Sequence, residues 1–150
     1  SINLSVKAGI CLGIGDKVHF LGHQQLTTLL PKVGVVVLSS ISEALPLVLL
    51  EGYAAGIPAV TTDVGACRQL IHGLTEEDRA LGASGHVVRI ADPQALAEGV
   101  HHLLTDSDTW HKASAAAIAR VETWYTQPMM FGSYRSLYRK LLSWPASDSN

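Results

Sequence analysis

Glu43 and Glu51 are the side chains whose types and spacing could do chemistry together. They lie eight positions apart in Ser40-Ile41-Ser42-Glu43-Ala44-Leu45-Pro46-Leu47-Val48-Leu49-Leu50-Glu51, between an apolar run and Ala54-Ala55-Gly56-Ile57-Pro58. The spacing straddles a helix expected to start near Leu45 or Pro46. The first turn of a helix carries N–H groups without intrahelical partners, and its dipole adds roughly half a positive charge. That end suits a phosphate. Glu51 would then lie about five residues in, roughly 7.5 Å along the axis. Its carboxylate accepts two hydrogen bonds, which matches a vicinal diol such as that of ribose. Glu43, on the preceding loop, could face a hexose on the phosphate's other side. Two solvated acids on a loop and a helix face have the same spacing, and spacing alone does not separate the readings.

The elements that must position these residues follow a strand–helix rhythm. Lys17 to Leu21 alternates and stops at Gly22, as a short strand does. Gln24 to Leu30 reads as a short helix ending near Pro31. Gly34 to Ser39 is a continuous apolar run, expected to be a strand buried on both faces. Pro46 to Ala55 reads as a helix with Pro in its first turn and Gly56 at its end. Ala59 to Thr62 is a further strand, and Gly65 to Ile71 a helix start. Gly73 to Gly85 is a loop with a helical turn around Glu76 to Leu81. His86 to Ile90 is a strand. Helices follow from Asp92 to about Leu104, from Asp108 to about Trp124, and from about Pro128 to Leu142. The last carries Phe131, Tyr134, Leu137, Tyr138 and Leu141 on one stripe, read as packing.

Strands alternating with helices predict an α/β fold, a doubly wound parallel sheet of Rossmann type with C-terminal helices. In such sheets ligands sit beyond the carboxyl ends of the strands. Glu43 follows one strand and Asp63-Val64-Gly65 the next, so both loops should open at one rim.

The bulk properties narrow the field. A chain of 150 residues fits one compact domain. Eleven basic and thirteen acidic residues give a net charge of −2, which favours neither nucleic acid nor an anionic membrane. No apolar run reaches the ~20 residues of a membrane span, and the start lacks a secretory layout. Cys11 and Cys67 are expected to be buried or half-buried free thiols in a reducing compartment. Seven histidines do not form a ligand set by spacing, so no metal is expected.

The ordered set Leu38-Ser39-Ser40, Glu43, Leu45-Pro46-Leu47, Leu50-Glu51, Ala54 to Pro58 and Thr62-Asp63-Val64-Gly65 resembles the C-terminal half of a GT-B glycosyltransferase of family 4. Val18 to Gly22, Asp92 to Ala97 and Tyr125 to Tyr138 extend the likeness over about residues 16–142. The resemblance implies a retaining hexosyltransferase, with a nucleotide-diphosphate sugar, UDP-linked, as donor and a carbohydrate as acceptor. It implies neither a cofactor nor nucleic acid as a partner, and a cytoplasmic location in exopolysaccharide synthesis, with membrane polysaccharide-synthesis proteins as possible partners. Glu43 takes the catalytic contact to the hexose and Glu51 the ribose. Pro46 has no N–H, so Ala44, Leu45 and Leu47 supply amides to hexose and phosphates. Gly22, His23 and Gln24 border the nucleobase, and Gly65 belongs to the second loop. The resemblance further implies that residues 1–150 are part of a nucleotide-sugar-binding domain. The acceptor domain, the first strands and the phosphate-binding cations would lie upstream, and residues 143–150 would form a frayed tail. A nucleotide-sugar 2-epimerase of the same half-fold and a non-catalytic docking domain remain as alternatives. Asp63 is expected to cap the helix after it, and Arg68 to be solvated.

Overall fold

A computed structural model describes Cys11 and residues 13–142. The tail expected over 143–150 lies outside the described residues. The chain divides into two units, Ser1–Lys32 and Val33–Asn150.

In the first unit a turn closes through the Lys17 amide on the Ile14 carbonyl at 2.9 Å. Helix α1 spans Leu26–Leu29 and runs into a 3₁₀ turn, Leu30–Lys32. The tighter turn absorbs Pro31, which cannot donate to an α-helical ladder. The strand expected over Lys17 to Leu21 is not formed. Alternation makes a segment suitable for a sheet, but a strand exists only where another backbone pairs with it. No described segment pairs with this one.

The second unit holds strands β1 (Val36–Leu38), β2 (Ala59–Thr62) and β3 (Gly85–Val88). They form a parallel sheet in that order, with Val36 opposite Ala59 and Ala59 opposite Gly85. The connections are α2 (Leu47–Ala54) between β1 and β2, then α3 (Cys67–His72) and α4 (Glu76–Ala80) between β2 and β3. Helices α5 (Pro93–Thr105), α6 (Ser107–Trp124) and α7 (Gln127–Leu142) follow.

Side chains alternate across a strand, so the register tells which helix covers which face. Gly52 of α2 sits against Val36, where a Cβ would come within 2.8 Å of the Val36 side chain. Gly99 of α5 sits against Val60 and His86 of the opposite parity. The sheet is therefore covered on both sides, as a doubly wound sheet requires. Val60, Leu103 and Ala113 form a buried cluster joined by Val88, Leu96 and Trp110. On α2 the buried residues are Leu49, Gly52 and Tyr53; on α3 they are Cys67, Leu70 and Ile71. Both sets follow the i, i+3, i+4 spacing of one helical face.

Details depart from expectation for local reasons. β1 is buried at Val36 but 46% exposed at Val37, because it forms the end of the three-strand order. The cap of α6 is Asp106, whose Oδ1 accepts from the amides of Asp108 and Thr109, so the helix begins before Asp108. Asp92 caps α5 as expected, accepting from the Ala95 amide at 2.9 Å. No residue of α7 is buried, and the Phe131–Leu141 stripe lies open among the described residues. Cys67 is buried and Cys11 exposed; both are free thiols. Among the described residues no helix is long and apolar enough to cross a membrane.

Candidate functional site

The loops after β1 and β2 meet. The Thr62 hydroxyl, at the end of β2, donates to the Ser40 carbonyl beyond β1. Ser40 Oγ donates to Glu43 Oε1 at 2.7 Å, which fixes one carboxylate oxygen, while the other has no donor among the described residues. The Ala66 amide donates to the Ala44 carbonyl at 3.0 Å. Gly65 has φ +48°, and a Cβ there would overlap the Glu43 carbonyl and lie 2.8 Å from that of Ala44. This close approach is possible only because Gly65 has no side chain. Glu43, Ala44 and Gly65 thus stand together beyond the carboxyl ends of β1 and β2, at the rim expected from the sequence.

Helix α2 starts at Leu47, slightly later than expected, because Pro46 takes extended backbone and acts as the cap residue without a side-chain bond. The amides of Leu47 and Val48 have no acceptor among the described residues. They are free to bind a ligand oxygen. Glu51 then lies four residues in, about 6 Å along the axis. It is exposed, and with Leu45 and Leu47 it lines a cavity of about 760 Å³. Trp124 of α6, Tyr125 just after it and Met129 of α7 form the opposite wall. Glu43 lines neither this cavity nor the smaller cleft that begins at Gly65. The expected residues therefore form two neighbouring groups, Glu43–Ala44–Gly65 and Leu45–Leu47–Glu51, joined by the turn at Pro46. Gly22, His23 and Gln24 belong to the first unit, where Gly22 has φ +63° and Gln24 Nε2 donates to the Leu21 carbonyl at 2.7 Å.

Two expectations beside the site are corrected. Asp63 does not cap α3; its carboxylate holds the Arg68 guanidinium through Nε and Nη2. That hydrogen bonding keeps the Asp63 carboxyl below the usual carboxylate range. Arg68 is correspondingly paired rather than merely solvated.

The sequence reading missed the buried ion pair behind the site. Arg120 is fully buried on α6, and its Nε donates to Asp78 Oδ1 at 2.6 Å. Its other nitrogens donate to the carbonyls of Ile71, Asp78 and Gly82. Asp78 Oδ2 accepts the Leu74 amide at 2.9 Å. Arg120 continues the buried face Ala113, Ala116, Ala117, and a charge on an apolar stripe is the signal that could have found it.

Among the described residues no three His, Cys, Asp or Glu side chains converge as metal ligands. His86 and His102 do meet, with Nε2 and Nδ1 3.2 Å apart. Burial first, then the charges of His102 and His72, hold the His86 pKa below its ordinary 6.5. The unfolded chain therefore binds more protons near that pH, so stability is full above about pH 7 and falls as the pH drops through the unfolded value. Denaturant unfolding at stepped pH should show this loss, with a shallower slope in His86→Asn. His72, also shifted down by burial, retains part of the slope.

With the geometry in place, comparison with known proteins defines the class. Residues 3–106 match the family described as Glycosyl transferases group 1, and the chain belongs to that family. Its fold is that of a GT-B glycosyltransferase domain: sucrose-phosphate synthase of Thermosynechococcus elongatus superposes with a TM-score of 0.78 at 25% identity, over 94% of this chain and 33% of that one. N-acetyl-alpha-D-glucosaminyl L-malate synthase of Bacillus anthracis is 28% identical over 132 residues, 87% of this chain and 32% of the relative. Lipopolysaccharide core biosynthesis mannosyltransferase LpsB of Rhizobium meliloti is 26% identical over 131 residues, 87% of this chain and 36% of the relative. The chain thus spans about a third of the length of these relatives.

Proposed function

We propose that this chain is the nucleotide-sugar-binding half of a retaining hexosyltransferase in exopolysaccharide biosynthesis, with a UDP-linked sugar as donor. The observation that carries the reading is the junction of two loops at the strand ends. There Gly65 presses on the Glu43 backbone while the free Leu47 and Val48 amides open α2 and Glu51 lines the large cavity one turn on. Glu51 anchors the ribose diol in that cavity. Glu43, with one oxygen steadied by Ser40, presents the other to hexose hydroxyls. The diphosphate gathers charge as it leaves, and the amides at the start of α2 stabilise it electrostatically.

The segments Leu38 to Pro46, Cys67 to Ile71 and Glu77 to Gly82 resemble PelF, the cytosolic transferase of Pel exopolysaccharide synthesis. The mannosyltransferase relative, named for lipopolysaccharide core biosynthesis, supports a glycan-building role. The greater length of the relatives supports an acceptor-binding domain elsewhere in the same polypeptide. No metal or cofactor enters this reading. A cytoplasmic location is part of it, and so is docking to membrane polysaccharide-synthesis proteins.

Incubating the full-length protein with UDP-sugars tests the reading. Sugar transfer or donor hydrolysis is the expected result. An epimerised donor would instead support a UDP-sugar 2-epimerase, and failure to bind any UDP-sugar would support a non-catalytic docking domain.

A further inference from the structure

A second cleft of about 500 Å³ begins at Gly65 and runs along α3 to the turn before α4. Arg68 and His72 from α3 and Arg79 from α4 are among the residues that line it. Asp63 offsets the charge of Arg68, and the charged form of His72 is disfavoured, so the net positive charge at the cleft comes from Arg79. Asp63 engages Nε and Nη2 of Arg68, which holds the guanidinium plane still and leaves Nη1 free to donate. A guanidinium already fixed loses little freedom on binding an oxyanion. The Arg79 guanidinium has no hydrogen-bond or ion-pair partner among the described residues. Glu76 and Glu77, from the first turn of α4, do not line the cleft.

His72 responds both to its burial and to the charges around it. Burial, followed by the charges of Arg68 and Arg120, disfavours its protonated form, while Asp63 opposes them weakly. An anion entering the cleft would relieve that field. The cleft starts at the residue on which the Glu43 backbone rests, so a group held there would lie beside a sugar bound at Glu43.

We propose that the Arg68–His72–Arg79 cleft is an oxyanion subsite that takes the carboxylate or phosphate of a carbohydrate substrate. The placement of that carbohydrate rests on the donor-site reading above; the capacity to hold an anion does not. Charge-assisted bonds from planar guanidinium groups suit both oxyanions.

The test uses the full-length protein with isotope-labelled histidine. The His72 resonance is identified by its loss in His72→Gln, and it is followed during separate titrations with inorganic phosphate and with glucuronate against a chloride control. The expected result is a saturating His72 shift with one or both anions, and an apparent affinity about tenfold weaker in Arg79→Gln. A response to glucuronate alone identifies the carboxylate as the group recognised, and a response to phosphate alone identifies the phosphate. The proposal is overturned if His72 does not move with either anion, or if Arg68→Gln and Arg79→Gln both respond with wild-type affinity. A UDP titration of the same sample keeps the two ideas apart. UDP binding with a silent His72 sinks the subsite and leaves the donor site standing. An anion response without UDP binding does the reverse.

Discussion

Arg120→Ala is expected to lower stability by about 3–5 kcal/mol, the cost of stranding one member of a buried ion pair. Asp78 would keep a buried carboxylate facing an emptied space, and the Gly82 carbonyl would lose its donor, while that of Ile71 would keep only the Ser84 amide and hydroxyl. Domains of this size have about 5–15 kcal/mol of stability in all, so the variant should be close to unfolding at ordinary temperatures. The loss has a definite location, because Arg120 ties α6 to the α3–α4 connection. Equilibrium denaturation of wild type, Arg120→Ala and the paired Arg120→Met/Asp78→Leu separates charge from volume. The double variant should recover much of the loss, because neither charge is then left buried alone. A loss of less than about 1 kcal/mol in Arg120→Ala would show that the network contributes little.

The second large effect is expected at Gly65. An alanine there would need a left-handed conformation that costs an L-residue roughly 1–2 kcal/mol, and its Cβ would collide with the Glu43 carbonyl. The strain would be relieved by pushing the Glu43 loop away from the end of β2. A displacement of about 1 Å in a positioning loop can cost on the order of a hundredfold in turnover. Gly65→Ala in the full-length protein should therefore lose turnover far more than it loses folded protein. Melting temperature and kcat measured together check this. Wild-type turnover in the variant would mean that the two loops need not stay in contact.

The parts of the fold legible in the sequence are those fixed by local chemistry. β2 could be read to its ends because Ala59 to Thr62 is bounded by Pro58 and Asp63, and α2 because Pro46 and Gly56 bracket it. Asp92 before Pro93 marked α5 for the same reason. Properties that depend on distant partners were not legible. The alternation at Lys17 to Leu21 gave no information on whether another strand would pair with it. Burial of β1 depended on its place in the sheet order, which left Val37 open. Arg120 and Asp78 lie 42 residues apart, and nothing local to either announces the other.

The site was legible to a similar depth. The rim shared by Glu43 and Gly65 followed from strand order and the carboxyl-end rule. Its tightness did not, because it depends on a single Cβ that Gly65 lacks. The separation of Glu51 into the large cavity, away from Glu43, was not legible either. α6 and α7 form the far wall of that cavity, and their position is a matter of packing rather than of motif.

The measurement that tests the central claim most directly is a UDP titration by calorimetry, run beside turnover assays, on full-length Glu51→Ala and Glu43→Ala. The account predicts that Glu51→Ala weakens binding of UDP itself, by about tenfold or more for the loss of charged hydrogen bonds to a diol. It predicts that Glu43→Ala binds UDP as wild type does while its turnover collapses. Wild-type UDP affinity and wild-type turnover in both variants would contradict the assignment.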